Sequence, residues 1–247
     1  MLERERYAVV SCHVERPLDD RAWRRFSRLQ EQAPGGFRIA ALLRPPDEGA
    51  GEDPELWLER ARQAAARGPL GHHTHWGGPG HARPRDVNPA EQVRREGAWL
   101  LQAGVRPTVF CGGGWYLDAA VAAAAAGLGY ADCTATAFRP RYLDAAATRL
   151  GLERPCWVEL DGDVRLLELP TTHSLGMLVR AVVNPRGLRE PLVHAYFHDT
   201  DLLDHRRSVA LEAALAVLAR RRRPSDLDRL ASEAATEQLP LTRPFAR

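Results

Sequence analysis

Gly71-His72-His73-Thr74-His75-Trp76-Gly77-Gly78 is the stretch on which the reading of this chain turns: three of the nine histidines fall within four consecutive positions. Leu70 and Gly71 lead in, and Gly77-Gly78-Pro79-Gly80 leads out, the pattern of a short strand ending in a loop. Side chains alternate along a strand, so His73 and His75 share one face and His72 takes the other. Two imidazoles on one face at the mouth of a loop are a donor pair for a zinc-like ion. The competing reading is a histidine-rich surface loop that binds nothing.

Upstream, Tyr7-Ala8-Val9-Val10-Ser11-Cys12-His13-Val14-Glu15 reads as a first strand stopped by Pro17, with Val9, Ser11, His13 and Glu15 on one face. Its end therefore offers an imidazole and a carboxylate side by side. Asp19 and Asp20 open a helix, one of them as its N-cap. Phe37 to Leu43 is a second strand, and Leu56 to Ala66 a second helix, leading into the histidine strand. Downstream, Asn88-Pro89 starts a helix with Asn88 as cap. Val105 to Phe110 is a strand that runs into Cys111-Gly112-Gly113-Gly114-Trp115-Tyr116, where the glycines allow close approach of backbone to a ligand. No phosphate-loop pattern accompanies them. Asp118 caps an alanine helix, Tyr130 to Thr134 is a strand containing Asp132, and Cys156 to Thr172 reads as a hairpin turned at Asp161-Gly162-Asp163. The last strand, Pro191 to His198, puts His194, Tyr196 and His198 on one face, followed by Asp199. Two amphipathic helices close the chain, one from about Ser208 and one from Pro224-Ser225-Asp226.

Strand–helix alternation over all 247 residues, with no low-complexity linker, argues for one α/β domain built on a mainly parallel sheet. In such folds sites gather beyond the C-terminal ends of the strands. His13, Glu15, His73, His75, the triple glycine, Asp132 and His198 all fall there. A net charge of +2 gives no field to recruit nucleic acid or a membrane, so neither is an expected partner. All 34 basic residues are arginine, a bias of composition from which no function follows. Cys12, Cys111, Cys133 and Cys156 form no CxxC pair and are expected to be reduced and structural. The charged first residues lack the apolar core of a signal peptide, and no run reaches membrane-spanning length; a cytoplasmic location is the resulting expectation.

The order of these motifs resembles the polysaccharide deacetylase family, the NodB-homology domains. The resemblance covers most of the chain, from Tyr7 to the final helix, including the Arg223-Pro224-Ser225-Asp226-Leu227 turn. It implies a distorted (β/α) barrel with fewer than eight strands and metal-dependent hydrolysis of an acetamido group on a sugar. The departures are specific. Ser11-Cys12-His13-Val14-Glu15 stands where the family has two acids, so His13 takes the base position and Glu15 is the carboxylate left for metal. His73-Thr74 matches the second motif, but Gly77 sits where its second histidine belongs; His75, or alternatively His81, takes that place. Cys111 replaces an arginine before the glycines. His198 matches the terminal motif's general acid, with Asp199 beside it.

On this reading Glu15, His73 and His75 hold a divalent metal, most simply Zn²⁺, with a position left open for water. His13 accepts the water's proton, and His198 protonates the leaving nitrogen. Trp76, Trp115 and Tyr116 would stack on a sugar, with Gly113, Gly114 and Asp132 as further substrate contacts. The partner is a glycan or a small-molecule amide. The alternative is a catalytically inactive relative that binds carbohydrate or a protein partner, since loss of a base, a ligand and an arginine is what such a descendant would show. His173 and His205, without partners at ligand spacing, are read as structural.

Overall fold

The computed structural model describes residues 6–78, 80, 82–85, 87–161, 163–184 and 188–245. In chain order the strands are β1 (Tyr7–Val14), β2 (Ala40–Leu43), β3 (Leu70–Thr74), β4 (Val109–Gly112), β5 (Ala131–Asp132), β6 (Cys156–Glu159), β7 (Arg165–Glu168), β8 (His173–Ser174), β9 (Leu192–His198), β10 (Arg223–Pro224) and β11 (Leu241–Thr242). The α-helices are α1 (Asp20–Gln32), α2 (Pro54–Ala65), α3 (Pro89–Gln102), α4 (Ala119–Gly127), α5 (Leu175–Val183), α6 (His205–Arg221) and α7 (Leu227–Ala235). The sheet runs β8-β9-β1-β2-β3-β4-β5-β7-β6-β11, with β10 also on β1. Every pairing is parallel except the β6–β7 hairpin.

The helix starts follow from capping chemistry. Asp19, Asp53, Asn88, Asp118 and Asp226 each accept hydrogen bonds from the first-turn amides, which a helix leaves unpaired. The Asp19 carboxylate is engaged in this way by the amides of Arg21 and Ala22. The element that sequence periodicity did not reveal is α5 with the short β8 before it. Its nine residues are nearly all apolar, and it buries Leu178, Ala181 and Val182.

The sheet is strongly curved. Two strands separate β1 from β4, which in a flat sheet would place them about 14 Å apart. Yet His13 Nε2 lies 3.8 Å from Cys111 Sγ. Alternate side chains of β1 thus face an inner cluster (Tyr7, Val9, Leu42, Cys111, Cys133, Tyr196) sealed below by Leu227 and Leu230 of α7. The other set, Ala8, Val10, Cys12 and Val14, packs against α1, α2, α5 and α6. Among the described residues no regular strand pairing closes the sheet into a barrel. The segment Leu169–Thr172 spans the opening instead: Thr171 N donates to Ala135 O, and Thr172 N to His194 O. All four cysteines are buried and unbridged. Among the described residues no helix is long and apolar enough to cross a membrane.

Candidate active site

Parallel strands all deliver their last residues to one edge, and here that edge carries the histidines. Glu15 follows β1, His73 and Thr74 end β3 with His75 one residue on, Cys111 lies near the end of β4, and His198 ends β9. One ligand atom each from Glu15, His73 and His75 lie within 4.8 Å of one another. The Nε2 atoms of His73 and His75 are 3.3 Å apart, and Glu15 Oε1 is 3.8 Å from His75 Nε2.

His73 is oriented by its other nitrogen. A carbonyl can only accept, so its Nδ1–H donates to Cys111 O at 2.9 Å, and its Nε2 is directed into the cluster. Burial, the neighbouring His75 and other imidazoles push its pKa well below the usual histidine value, despite the carbonyl contact. His75 is fixed through its backbone, whose carbonyl accepts from Gln92 Nε2 of α3.

His13 lies beneath this layer, its ring centroid 4.6 Å from that of His73, 4.9 Å from Tyr196 and 5.2 Å from Trp115. Burial first, then the surrounding histidines, hold it neutral, with a pKa well below the usual range. A second group of possible ligand atoms, from His13, His73 and Cys111, also falls within 4.8 Å.

His198 has the opposite electrostatics. Its Nε2 is 3.6 Å from Glu15 Oε1 and its Nδ1 is 3.8 Å from Asp201 Oδ2. Burial alone would lower its pKa; Asp201, Glu15 and Asp199 outweigh that and raise it, so the imidazolium is favoured. Asp201 in turn accepts from Arg207 Nη1 at 2.6 Å and from the His198 backbone amide at 2.9 Å, and its pKa falls to about 2 against the desolvation that opposes it. Sequence reasoning passed over Asp201 and Arg207. The signal was present in a carboxylate three residues after His198, at the start of a 3₁₀ turn.

Asp199, expected beside His198 as a catalytic group, also holds the chain on the far side of the site. It is fully buried, and its Oδ2 accepts from Arg16 N at 2.8 Å, which pins the loop after Glu15. Burial and the nearby Glu15 raise its pKa to about 6.

The expected substrate contacts divide. Trp76 is fully buried and donates from Nε1 to Gly113 O at 2.9 Å, so its face is closed to a sugar. Gly113 and Gly114 do allow a close backbone approach, but by this chain itself. A Cβ on Gly113 would stand 2.5 Å from Thr74 O, and one on Gly114 would stand 2.2 Å from Ala82 O. Trp115 adopts φ 62°, rare for a bulky residue, and its ring is clamped by His13, Tyr196 and Phe138. The Tyr116 hydroxyl donates to Asp118 at 2.7 Å, with its pKa pushed up to about 12 by burial and that carboxylate.

Asp132 belongs elsewhere. It is fully buried in register with Glu168, accepting from Thr134 N and Oγ1. Burial raises both carboxyls, Glu168 further through Asp132 itself. Strand alternation explains the miss: Cys133 faces the inner cluster, so its neighbour Asp132 faces the other side. His81 lies outside the described residues. His173 is buried, bonded to Thr172 Oγ1 at 2.8 Å, and His205 is exposed at the start of α6.

No family model matches the sequence, and no curated relative matches it. Solved structures do. A candidate polysaccharide deacetylase involved in O-antigen biosynthesis from Bordetella bronchiseptica superposes with a TM-score of 0.52 at 16% identity, covering 95% of this chain and 93% of that one. The 4-alpha-glucanotransferase from Thermococcus litoralis superposes with a TM-score of 0.55 at 11% identity over 97% of this chain. This chain spans only 40% of the glucanotransferase. The likeness is one of fold. At these identities it carries the α/β architecture with its mostly parallel sheet, and the chemistry has to come from the side chains.

Proposed function

We propose that this protein is a metal-dependent hydrolase that removes an acetyl group from an N-acetylated sugar or a related small amide, on a distorted (β/α) barrel. The observation that carries the reading is the meeting of Glu15, His73 and His75 within 4.8 Å, with His198 3.6 Å from Glu15. The donor set suits zinc. Two nitrogens bound tetrahedrally at about 2.0–2.1 Å would stand roughly 3.3–3.4 Å apart, and the Nε2 atoms of His73 and His75 are 3.3 Å apart. A fold shared with a candidate deacetylase fits the same chemistry.

A divalent ion held by Glu15, His73 and His75 supplies a Lewis acid for the amide carbonyl and acidifies water. The chain's own residues handle the protons. His13, kept neutral by burial, accepts at Nε2 the proton that the attacking water gives up. His198, whose pKa Asp201 and Glu15 raise, donates from Nε2 to the departing nitrogen. Arg207 holds Asp201, so the acid is oriented before substrate arrives. A cleft of about 480 Å³, lined by Arg95, Trp99 and Gly78, adjoins the ligand set through His75 alone. That volume suits a sugar unit or a small amide. Trp99, rather than the sealed Trp76, offers the aromatic wall there.

Metal analysis of the purified protein, with acetate release assayed over a panel of N-acetylated sugars and amides, tests the reading. The expected result is about one equivalent of bound zinc or a similar ion and acetate release that a chelator removes. A protein that takes up no ion at Glu15, His73 and His75, and whose melting temperature ignores added zinc, is the inactive relative instead.

A further inference from the structure

Below the outer ligand set lies the second cluster, and its composition differs in kind. Its three members, His13, His73 and Cys111, are all buried, and its donors are two imidazoles and a thiol where the outer set has a carboxylate. His13 Nε2 and Cys111 Sγ stand 3.8 Å apart. Nitrogen and sulfur on a tetrahedral ion at about 2.0 and 2.3 Å would stand roughly 3.5 Å apart. We propose that His13, His73 and Cys111 form a second, deeper cation position that takes a thiophilic ion with Cys111 as thiolate.

Ligand softness decides which ion goes where. A carboxylate with two imidazoles suits zinc with an open position, whereas a thiolate in a dry pocket selects softer ions such as cadmium or copper(I). Binding displaces the Cys111 S–H proton to solvent, one proton released for one sulfur–metal bond formed. The entry path runs through the outer position, since Glu15 and His198 each keep about a third of their side chains exposed above the buried layer.

The two positions exclude each other, a consequence that rests on the outer ligand set of the proposed hydrolase. His73 Nδ1 is committed to the Cys111 carbonyl, so the same Nε2 must serve either ion. A soft ion in the deep position therefore takes His73 from the outer set and His13 from its proton-accepting role together. Thiophilic ions would act as tight, reversible inhibitors from inside the site.

Cadmium titrated into the reduced, metal-free protein tests this. Expected are a thiolate-to-cadmium charge-transfer band saturating near one equivalent and a cadmium NMR resonance in the thiolate-ligated range. Cys111→Ser should lose the band while still binding one ion, and Cys12→Ser, altered on the opposite sheet face, should keep it. The double variant Glu15→Gln/His75→Gln should lose the outer position and keep the band; His73→Ala should lose both. Cadmium NMR of the unmodified protein reads the ligation even if a variant fails to fold. A resonance showing nitrogen and oxygen ligation alone, a band that survives Cys111→Ser, or zinc and cadmium bound together at full occupancy would overturn the proposal. A cadmium band in a protein without hydrolytic activity would leave the deep position standing and remove the proposed reaction.

Discussion

The two faces of β3 carry the same residue type with opposite outcomes. On the outer face, His72 Nε2 donates to Glu96 at 2.8 Å, and Thr74 Oγ1 donates to the same carboxylate at 2.9 Å. On the inner face, His73 spends only Nδ1, on a backbone carbonyl, and directs Nε2 at His75. Both histidines are buried. What separates a ligand from a structural residue here is where the second nitrogen sits: His73 Nε2 faces His75, whereas His72 Nδ1 is buried without a hydrogen-bond partner and joins no group of possible ligand atoms among the described residues. The outer network also supports the inner one: Gln92 joins Glu96 at 2.7 Å and holds the His75 carbonyl, so α3 locks the strand end that presents the ligands.

The contrast breaks most directly at the adjacent histidines. His73→Ala is expected to abolish both ion uptake and acetate release, whereas His72→Ala should retain the ion stoichiometry; equal loss of metal in both would erase the distinction between faces. Next in size, His198→Gln should lower kcat by about 10²–10⁴-fold while bound metal, measured by elemental analysis, stays unchanged. A loss of metal in that variant would make His198 a ligand instead of an acid. On the structural side, Glu96→Ala leaves His72 and Thr74 without their shared acceptor and should cost about 1–3 kcal/mol in urea unfolding. An unchanged midpoint would mean the outer face does not hold the strand.

A further expected effect, and the one that sharpens the picture of the interior, concerns His194. It sits deeper still, fully buried, with Nδ1–H donating to Leu169 O at 3.2 Å and Nε2 accepting from Ser11 at 2.9 Å. Burial lowers its pKa to about 4 against those backbone contacts. The unfolded chain, titrating near 6.5, therefore binds the extra proton between those values. Stability is full above about pH 6.5 and declines as pH falls towards 4, by about 3 kcal/mol from this group. Urea midpoints measured across that range should fall less for His194→Gln than for the wild type; parallel curves would exclude His194 as the cause.

Much of the site was legible because period-two alternation is a local property. It puts His13 with Glu15, His73 with His75, and His194 with His198 before any fold is known. The same rule, applied to Asp132, would have turned it away from the site had its strand neighbours been weighed. Trp76 misled for a different reason: an aromatic beside a ligand strand looks like a sugar platform, and only packing shows its indole closed over Gly113. Asp201 and Arg207 escaped because their link to His198 runs through a 3₁₀ turn and a helix start, where spacing along the chain does not report direction.

The sequence alone determined the α/β alternation, the helix caps and the gathering of imidazoles and a carboxylate at strand ends, since each depends on residues within a few positions of one another. Curvature of the sheet belonged to the tertiary structure. It brings β1 within reach of β4 across two intervening strands, sets Cys111 beneath His13, and decides which of each ring's nitrogens remains to bind, because those contacts join residues about a hundred positions apart.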